Sequence, residues 1–320
     1  MKRKTENKII LVVRPTGLDD LIKRFNTVDQ ARFYVEHLGA DFADYLAEHE
    51  VYHEAKRLTE TILESWGRLQ VVDRSFLPNF LFGPDDTVVA LGQDGLVANT
   101  LKYLSGQPVI GVNPDRKRWD GRLLPFDVDD LQTLIGDVFR KSRALHEVTL
   151  AEARLNNGQV LRAVNDLFIG PKSHGSARYR ISIDRLSERQ SSSGIIVSTG
   201  LGSTGWFSSL MTGANGVAEA ASRVFGHREI SPSDSGQAGF DFPWSARHLY
   251  FTVREPYPSR TTGTSIVFGE VKPGSPLRLL SEMPERGVIF SDGMEHDFLD
   301  FNSGTQATIT ISDQRGVLVG

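Results

Sequence analysis

One stretch of the sequence, residues 87–115, limits the fold of this chain more than any other. An apolar run at Thr87–Leu91 ends at a turn with the sequence GQDG (92–95), and apolar residues then recur at helical spacing. A second apolar run, 108–112, follows shortly after. Two strands that flank one helix make a βαβ unit with parallel strands. The sequence therefore predicts a parallel sheet with the GQDG turn at the carboxyl end of a strand, where open α/β sheets bind ligands.

The GQDG turn has the composition of an anion-binding turn. Gly92 and Gly95 allow positive φ and close approach of a ligand to the backbone, and the amides that open the next helix can hold an anion. Asp94 is unexpected there, because a carboxylate repels an anion unless a metal or a proton transfer accounts for it. A helix N-cap is an equally good interpretation of Asp94, since Asp is preferred at that position.

Composition excludes several classes of function. The chain has 320 residues, enough for two domains, and a net charge of −4, which gives no reason to expect a nucleic acid partner. It has no cysteine, so disulfides, thiolate metal sites and a cysteine nucleophile are excluded. The apolar run 9–13 is too short for the core of a signal peptide or for a membrane span. We therefore expect a cytoplasmic protein that has no membrane partner.

The pattern of the chain changes near residue 144, which predicts an α/β domain at 1–143 and a β-rich domain at 144–320. Helical spacing extends from 28 to 66, with Gly39 between two helices. In the second half, Asn157-Gly158 between two alternating runs predicts a hairpin, and seven short strand candidates follow. The segment 211–244 is rich in Gly, Ser and Ala and is expected to form a loop.

The predicted helix in the first half contains a literal HExxH motif, formed by His49, Glu50 and His53. Two histidines at i and i+4 share a helix face and could bind zinc, with Glu50 as the general base of a peptidase. No third ligand can be recognised in the sequence. Histidines on the surface of an amphipathic helix are the more common explanation.

Two further motifs lie in the second half. Residues 200–205 read GLGSTG, a GxGxxG pattern that would suggest a dinucleotide site, but no βαβ unit follows, and Gly213 and Gly216 disfavour a long helix after Trp206. The pair Asn165-Asp166 lies inside an apolar run, so it forms either a turn or a partly buried polar pair that needs partners, a ligand among them. No Walker-type phosphate loop is present.

Taken in chain order, GQDG, VNDL (164–167) and STGLGSTGW (198–206) resemble the motifs of the NAD kinase family. The chain is most similar to the subgroup typified by the mitochondrial enzyme of animals, and the resemblance extends from about residue 9 to residue 313. Each motif is weak by itself, whereas their order and spacing together are fairly specific. The resemblance also disfavours the zinc interpretation, because it accounts for the helix that carries HExxH.

The resemblance implies a fold and a reaction. The fold would be an N-terminal α/β domain with a parallel, Rossmann- or phosphofructokinase-like sheet and a β-rich C-terminal domain, with the site in the cleft between them. The reaction would be ATP-dependent phosphorylation of the 2′-hydroxyl of the adenosine ribose of NAD, giving NADP. ATP and a divalent cation, Mg²⁺, are implied as cofactors, NAD as the acceptor, and a homodimer or homotetramer as the assembly.

Site residues follow from the motif positions. Asp94 would accept or orient the proton of the hydroxyl group. The ATP phosphates would be contacted by Gly92, Gln93, Gly95 and the basic residues Arg116 and Lys117. NAD would be bound by Asn165, Asp166, Thr199, Ser203, Thr204 and Trp206. No residue is assigned as a metal ligand.

The chain departs from the family pattern at several of these positions. Gln93 replaces a glycine, Leu96 replaces a threonine, and Asp166 is one methylene shorter than the glutamate it replaces. If position 93 required positive φ, glutamine would strain the turn by ~1 to 3 kcal/mol. These departures leave two alternatives open: a nucleotide-binding protein without kinase activity, and a kinase for another hydroxyl compound such as a sugar or a lipid.

Overall fold

A computed structural model of the protein describes residues 3–225, 240–294 and 297–320. The chain forms two compact units, Met1–His146 with Gly316–Gly320, and Glu147–Arg315. Among the described residues, no helix combines the length and the apolar composition that a membrane span requires.

The first unit is built on a parallel sheet. Its elements, in chain order, are β1 (Lys8–Val13), α1 (Gly17–Phe25), α2 (Val28–His37), α3 (Phe42–Trp66), β2 (Arg68–Asp73), β3 (Thr87–Leu91), α4 (Asp94–Leu101), β4 (Pro108–Asn113), β5 (Phe126–Asp127) and α5 (Leu131–Phe139). The strands lie in the order β2-β1-β3-β4, all parallel. Strands β1, β3 and β4 are almost entirely buried, which explains their continuous apolar sequences. The predicted βαβ unit is confirmed.

Local sequence explains the helices of the first unit. Gly39 separates α2 from α3 with φ of +77°, as the sequence predicts. Helix α1 was not predicted. Its apolar residues recur at helical spacing from Leu18 to Phe25. A capping box begins the helix: the Thr16 side chain accepts a hydrogen bond from the Asp19 amide, and the Asp19 carboxylate accepts one from the Thr16 amide.

The second unit is rich in antiparallel strands. They are β6 (Leu145–Leu155), β7 (Val160–Ala163), β8 (Asp166–Pro171), β9 (Ala177–Ile183), β10 (Leu186–Ser192), β11 (Ile195–Ser198), β12 (Leu249–Val253), β13 (Phe268–Val271), β14 (Leu277–Ser281), β15 (Gly287–Ser291), β16 (Phe298–Asp300) and β17 (Gln306–Val319). Six of these strands form one sheet in the order β13-β12-β11-β8-β15-β16. The predicted hairpin joins β6 and β7, with Gly158 at φ of +87°. The predicted fold class, an α/β part followed by a β-rich part, is confirmed.

One prediction for the second unit is wrong. The residues after Trp206 form a long helix, α6 (Trp206–Phe225), although Gly213 and Gly216 disfavour one. Each glycine costs about 1 kcal/mol in a helix, and burial of Phe207, which is 2% exposed, offsets part of that cost. The predicted loop 211–244 is therefore helical as far as Phe225, and residues 226–239 lie outside the described part of the chain.

Candidate functional site

The GQDG turn joins the end of β3 to the start of α4. The Gly92 amide donates a hydrogen bond to the carbonyl of Val112, at 3.2 Å, which holds the turn against the end of β4. Gln93 is the N-cap residue of α4 and has extended backbone angles, φ −126° and ψ 166°. Glutamine is therefore unstrained in this turn. Neither Gly92 nor Gly95 adopts the positive φ that glycine allows.

The two glycines differ in the space around them. A Cβ atom on Gly92 would lie 2.9 Å from Cδ2 of Leu96 and 3.7 Å from Nε of Arg14, so this position has little room for a side chain. A Cβ atom on Gly95 would meet nothing within 4 Å. Leu96 is 2% exposed and packs in the core. Gly95 is thus the glycine that leaves open space at the start of α4.

Asp94 is the first residue of α4 and is half-buried. One of its carboxylate oxygens, Oδ1, accepts a hydrogen bond from the Leu123 amide at 2.8 Å, and Oδ2 accepts one from the Arg122 amide at 3.2 Å. A carboxylate has about four acceptor positions, so about two remain for another donor. Asp94 anchors the loop that follows the basic cluster and keeps acceptor capacity.

Arg14, which the sequence analysis missed, lies beside the turn. Its side chain is 7% exposed, and Nη2 donates to Oε1 of Glu48 at 2.6 Å. Its Nε is buried and has no hydrogen-bond partner among the described residues.

Tyr52 joins Arg14 to the end of β3. Burial raises the pKa of Tyr52 to about 12, so the Tyr52 hydroxyl stays protonated. That hydroxyl accepts from the Arg14 amide and donates to the Leu91 carbonyl.

The basic cluster after β4 is only partly available to a ligand. Arg116 donates to a carboxylate oxygen of Asp127 at 2.5 Å, and Arg118 pairs with Asp44 at 2.5 Å. Lys117 is exposed, and its side chain has no ion pair or hydrogen bond to a described residue. Of the two cations predicted to contact phosphate, Lys117 is therefore the one that does not need to break an existing pair.

In the second unit, Asp292 organises the residues around Asn165. Its Oδ1 accepts from the Asn165 amide at 2.6 Å and from the Val164 amide at 3.0 Å. The Asp292 amide donates to the carbonyl of Asp166 at 3.0 Å. The backbone of the Asn165-Asp166 pair is thus fixed, while the Asn165 side chain is half-buried and has no hydrogen-bond partner among the described residues.

The GLGSTG motif (200–205) and the preceding Thr199 pack on the Asn165-Asp166 pair. The Thr199 amide donates to the carbonyl of Asn165 at 2.9 Å, and the Gly202 amide donates to Oγ1 of Thr199 at 3.2 Å. A Cβ atom on Gly202 would lie 2.1 Å from the carbonyl oxygen of Asn165. Ser203 is buried and donates to the carbonyl of Gly200 at 2.7 Å. The structure therefore brings Asn165, Asp166, Thr199 and Ser203 together.

Asp166 is buried, with 8% of its surface exposed. Burial raises the pKa of Asp166 to about 7, and the nearby charge of Asp292 adds to the shift. A carboxyl group with this pKa changes its charge near neutral pH.

The remaining two predicted residues lie at the edge of this cluster. Thr204 is exposed at the end of the short 3₁₀ turn Gly202–Thr204. Trp206 stacks on Phe168, with ring centroids 5.8 Å apart, and the guanidinium of Arg254 lies 5.4 Å from its ring centroid. Trp206 therefore already packs between two side chains.

The histidines of the HExxH motif meet a third residue that the sequence analysis missed. Asp19 of α1 lies against His49 and His53, while Glu50 is exposed. The capping pattern Thr16-x-x-Asp19 and the helical apolar spacing that follows it could have predicted α1, and with it the position of Asp19.

Comparison with curated proteins finds a partial match to an NAD kinase. No protein-family profile matches the chain. A segment of the chain is 28% identical over 153 residues to the NAD kinase of Chlorobaculum tepidum. The match covers 46% of this chain and 51% of that relative. The matched segment thus spans about half the length of this curated relative.

Two solved structures are similar over nearly the whole chain. The NAD kinase of Archaeoglobus fulgidus in complex with ATP aligns with a TM-score of 0.55 and 14% identity, covering 98% of this chain and 93% of that chain. The yeast NADH kinase complexed with NADH aligns with a TM-score of 0.58 and 15% identity, covering 99% and 84%. The resemblance to NAD kinases is confirmed, the assignment to the mitochondrial-type subgroup stays a prediction, and the chain has the NAD kinase fold.

Proposed function

We propose that the protein transfers the γ-phosphoryl group of ATP to the 2′-hydroxyl of the adenosine ribose of NAD, giving NADP and ADP. The observation that carries this proposal is the position of Asp94. It is the first residue of the helix after a buried parallel strand, with open space at Gly95 next to it and acceptor capacity left on its carboxylate. Sequence similarity to a curated NAD kinase and the shared fold support the same conclusion.

In the proposed reaction, Asp94 orients the hydroxyl nucleophile. The hydroxyl donates its hydrogen bond to the carboxylate, its oxygen attacks the γ-phosphorus, and the bond to the β-phosphate oxygen breaks. The proton passes to Asp94 or to solvent, and ADP leaves. Backbone amides of Arg122 and Leu123 hold the carboxylate in one orientation, which is the positioning that phosphoryl transfer requires.

The phosphates of ATP are proposed to lie at the start of α4. No side chain caps this helix, so its first two amides, those of Asp94 and Gly95, can donate to an anion, and Gly95 leaves space for one. Arg14 and Lys117 supply positive charge near the turn and on the following loop. The divalent cation, Mg²⁺ by resemblance, would arrive on the phosphates and neutralise their charge. No residue is assigned as its protein ligand, because the free acceptor positions of Asp94 are assigned to the hydroxyl nucleophile.

The adenosine end of NAD is proposed to bind to Asn165 and its neighbours in the second unit. The half-buried side chain of Asn165 offers an amide to the ribose or the base. Thr199 fixes the backbone beneath that side chain, and Thr204 lies exposed at the rim of the cluster. We assign Asp166, Ser203 and Trp206 to the walls of the same site.

The two departures that raised the alternative of an inactive protein are accommodated locally. Gln93 has extended backbone angles and introduces no strain. Leu96 is 2% exposed and packs in the core beside Gly92. An active kinase is therefore the better-supported function.

The direct test is an assay of the purified protein with ATP, Mg²⁺ and NAD. We expect NADP as the product, and we expect omission of Mg²⁺ or ATP to abolish its formation. NADH, simple sugars and diacylglycerol serve as competing acceptors in parallel reactions. Tight binding of NAD with no turnover would establish the nucleotide-binding alternative, and turnover of a sugar or lipid alone would replace NAD as the acceptor.

Assembly and location complete the proposal. By resemblance we propose a homodimer or a homotetramer, and the cytoplasmic location stays a prediction from the sequence. Sedimentation velocity of the full chain checks the assembly, and a concentration-independent monomer would contradict it.

A further inference from the structure

Asp19, His49 and His53 form a compact cluster in the first unit. Nε2 of His53 lies 3.2 Å from Oδ1 and 3.1 Å from Oδ2 of Asp19. Nδ1 of His49 lies 3.5 Å from Oδ1 of Asp19. One potential ligand atom from each residue lies within 4.8 Å of the other two. Among the described residues, this is the one group of three or more His, Cys, Asp or Glu side chains with such spacing.

Local structure in α1 and in α3 holds the three side chains in this arrangement. His49 and His53 are four residues apart on α3, so they lie on the same face of the helix, with ring centroids 4.2 Å apart. Asp19 is held by the capping box of α1, in which its Oδ2 accepts from the amide and the hydroxyl of Thr16. Oδ1 is not used by the capping box and faces the two imidazole rings. The carboxylate is therefore oriented before any ligand binds.

We propose that Asp19, His49 and His53 bind a divalent transition-metal ion, Zn²⁺ foremost, that links α1 to α3. A tetrahedral ion with bonds of about 2.0 to 2.1 Å sets its ligand atoms ~3.4 Å apart. The distances from Oδ1 of Asp19 to Nε2 of His53 and Nδ1 of His49, 3.2 and 3.5 Å, match that spacing, and the two ring nitrogens lie within 4.8 Å of each other. Two imidazoles and a carboxylate suit zinc and its neighbours in the first transition series, and not Mg²⁺, which prefers oxygen ligands.

A purely structural role for the cluster is a network of hydrogen bonds that ties the two helices together. In that network, both imidazoles compete for the same carboxylate, and Nδ1 of His49 also lies 3.0 Å from the hydroxyl of Thr16. A metal ion takes the place of the protons in the hydrogen bonds from these ring nitrogens to Asp19 and Thr16, because it binds the deprotonated ligand atoms. The ion would also satisfy all three groups at once, and access is open, since the side chains are 26% (His49), 41% (His53) and 29% (Asp19) exposed.

The proposed site binds a metal ion and has no hydrolytic role. Glu50, which would act as the base in a peptidase of the HExxH type, is exposed and does not belong to the cluster. The site is also separate from the proposed use of Mg²⁺ with ATP, because its imidazole ligands select a different class of ion.

The first test measures metal binding to the full chain after dialysis against a chelator. We expect Zn²⁺ to bind with a 1:1 stoichiometry by calorimetry, and Co²⁺ to give the intense visible absorption of a low-coordinate site. His49→Gln and His53→Gln should each weaken binding by ~100-fold or more, since loss of an outer-shell partner alone costs 10- to 100-fold. His37→Gln, an exposed histidine on α2, is the matched control and should bind as the wild type does.

A second measurement uses the wild-type protein, so it does not depend on how the variants fold. Diethylpyrocarbonate modifies accessible imidazoles, and mass spectrometry locates the modified residues. We expect Zn²⁺ to protect His49 and His53 from modification and to leave the extent of modification of His37 unchanged. Absence of Zn²⁺ binding, equal binding by the His49→Gln/His53→Gln double variant, or modification of these two histidines unaffected by Zn²⁺ would each overturn the proposal.

Discussion

The GQDG turn and the Asn165 cluster, one in each unit, differ in how much space surrounds their polar groups. At the turn, Asp94 is half-buried, is held by two backbone amides and lies next to open space at Gly95. In the cluster, the backbone of Asn165 is held by Asp292 and Thr199, and Gly202 packs where no side chain fits. The turn can thus admit a ligand at little cost, whereas the cluster is a rigid frame. Variants of the two regions should therefore differ in what they damage.

The largest effect is expected at Asp94. Asp94→Asn should lower kcat by ~10²-fold or more, because the amide is a poor proton acceptor and offers one oxygen where the carboxylate offers two. Its far-UV circular dichroism should stay that of the wild type, because Asp94 is half-buried and outside the core. The measurement is the steady-state rate of NADP formation at saturating ATP and NAD.

Asp120→Asn is the matched control for this prediction. Asp120 is an exposed carboxylate on the loop that Asp94 anchors, so its loss changes the charge of the region and leaves the turn intact. We expect a rate close to that of the wild type. If Asp94→Asn keeps the wild-type rate, Asp94 has no part in the reaction and only anchors the loop.

Next in size is a change to the frame of the second unit. Gly202→Ala would place a methyl group 2.1 Å from the carbonyl oxygen of Asn165, so the backbone must move. Overpacking of this kind costs ~1 to 3 kcal/mol or more, and NAD affinity should fall as Asn165 shifts. Urea unfolding and NAD calorimetry measure the two effects. Gly213→Ala, on α6 in open space, should instead stabilise the protein by ~0.5 to 1 kcal/mol. Equal stability of the two variants would show that the frame is not rigid.

A pH dependence of stability is expected from Asp166. The native pKa of Asp166, about 7, lies above the value of about 3.9 in an unfolded chain, so between these values the native state binds more protons. The free energy of unfolding should therefore fall as pH rises from about 4 to 7, with a slope of at most about 1.4 kcal/mol per pH unit. Asp166→Asn should remove this contribution.

The measurement is urea unfolding of the wild type and the variant at a series of pH values, reported as the difference between them. Other groups titrate in the same range, and the difference isolates Asp166. Asp300→Asn, an exposed carboxylate on β16 of the same unit, is the control and should leave the pH dependence of the wild type unchanged. A difference curve that is flat for Asp166→Asn would mean that the carboxyl is solvated in the native state.

The contrast between the two regions also explains how much the sequence could predict. The strand, turn and helix around GQDG are local, so apolar spacing and two glycines predicted them. The contact of Asp19 with His49 and His53 joins residues 30 or more positions apart, and nothing in the spacing of HExxH indicates it. Helix α1 was missed although two local signals mark it, the capping pair Thr16 and Asp19 and the apolar residues Leu18, Leu21, Ile22 and Phe25 at helical spacing.

The Asn165 cluster was predicted only in part, for a similar reason. Its motifs were recognised by resemblance, but the raised pKa of Asp166 depends on burial and on Asp292, which lies more than a hundred residues away in the sequence. Helix α6 was predicted wrongly, because helix propensity counts Gly213 and Gly216 as costs and takes no account of the packing of Phe207.

The smallest effect is expected at Gly95, and it tests whether the open space at the turn holds a ligand. Gly95→Ala should leave the fold unchanged, because the added methyl group meets nothing within 4 Å and the residue does not need positive φ. If ATP phosphates approach the start of α4, the methyl group should raise the KM for ATP by ~5-fold, or about 1 kcal/mol, and leave the KM for NAD unchanged. Gly175→Ala, at another open glycine, is the matched control and should change neither constant. An unchanged KM for ATP in Gly95→Ala would move the phosphates away from this turn, and the open space beside Asp94 would then belong to the acceptor alone.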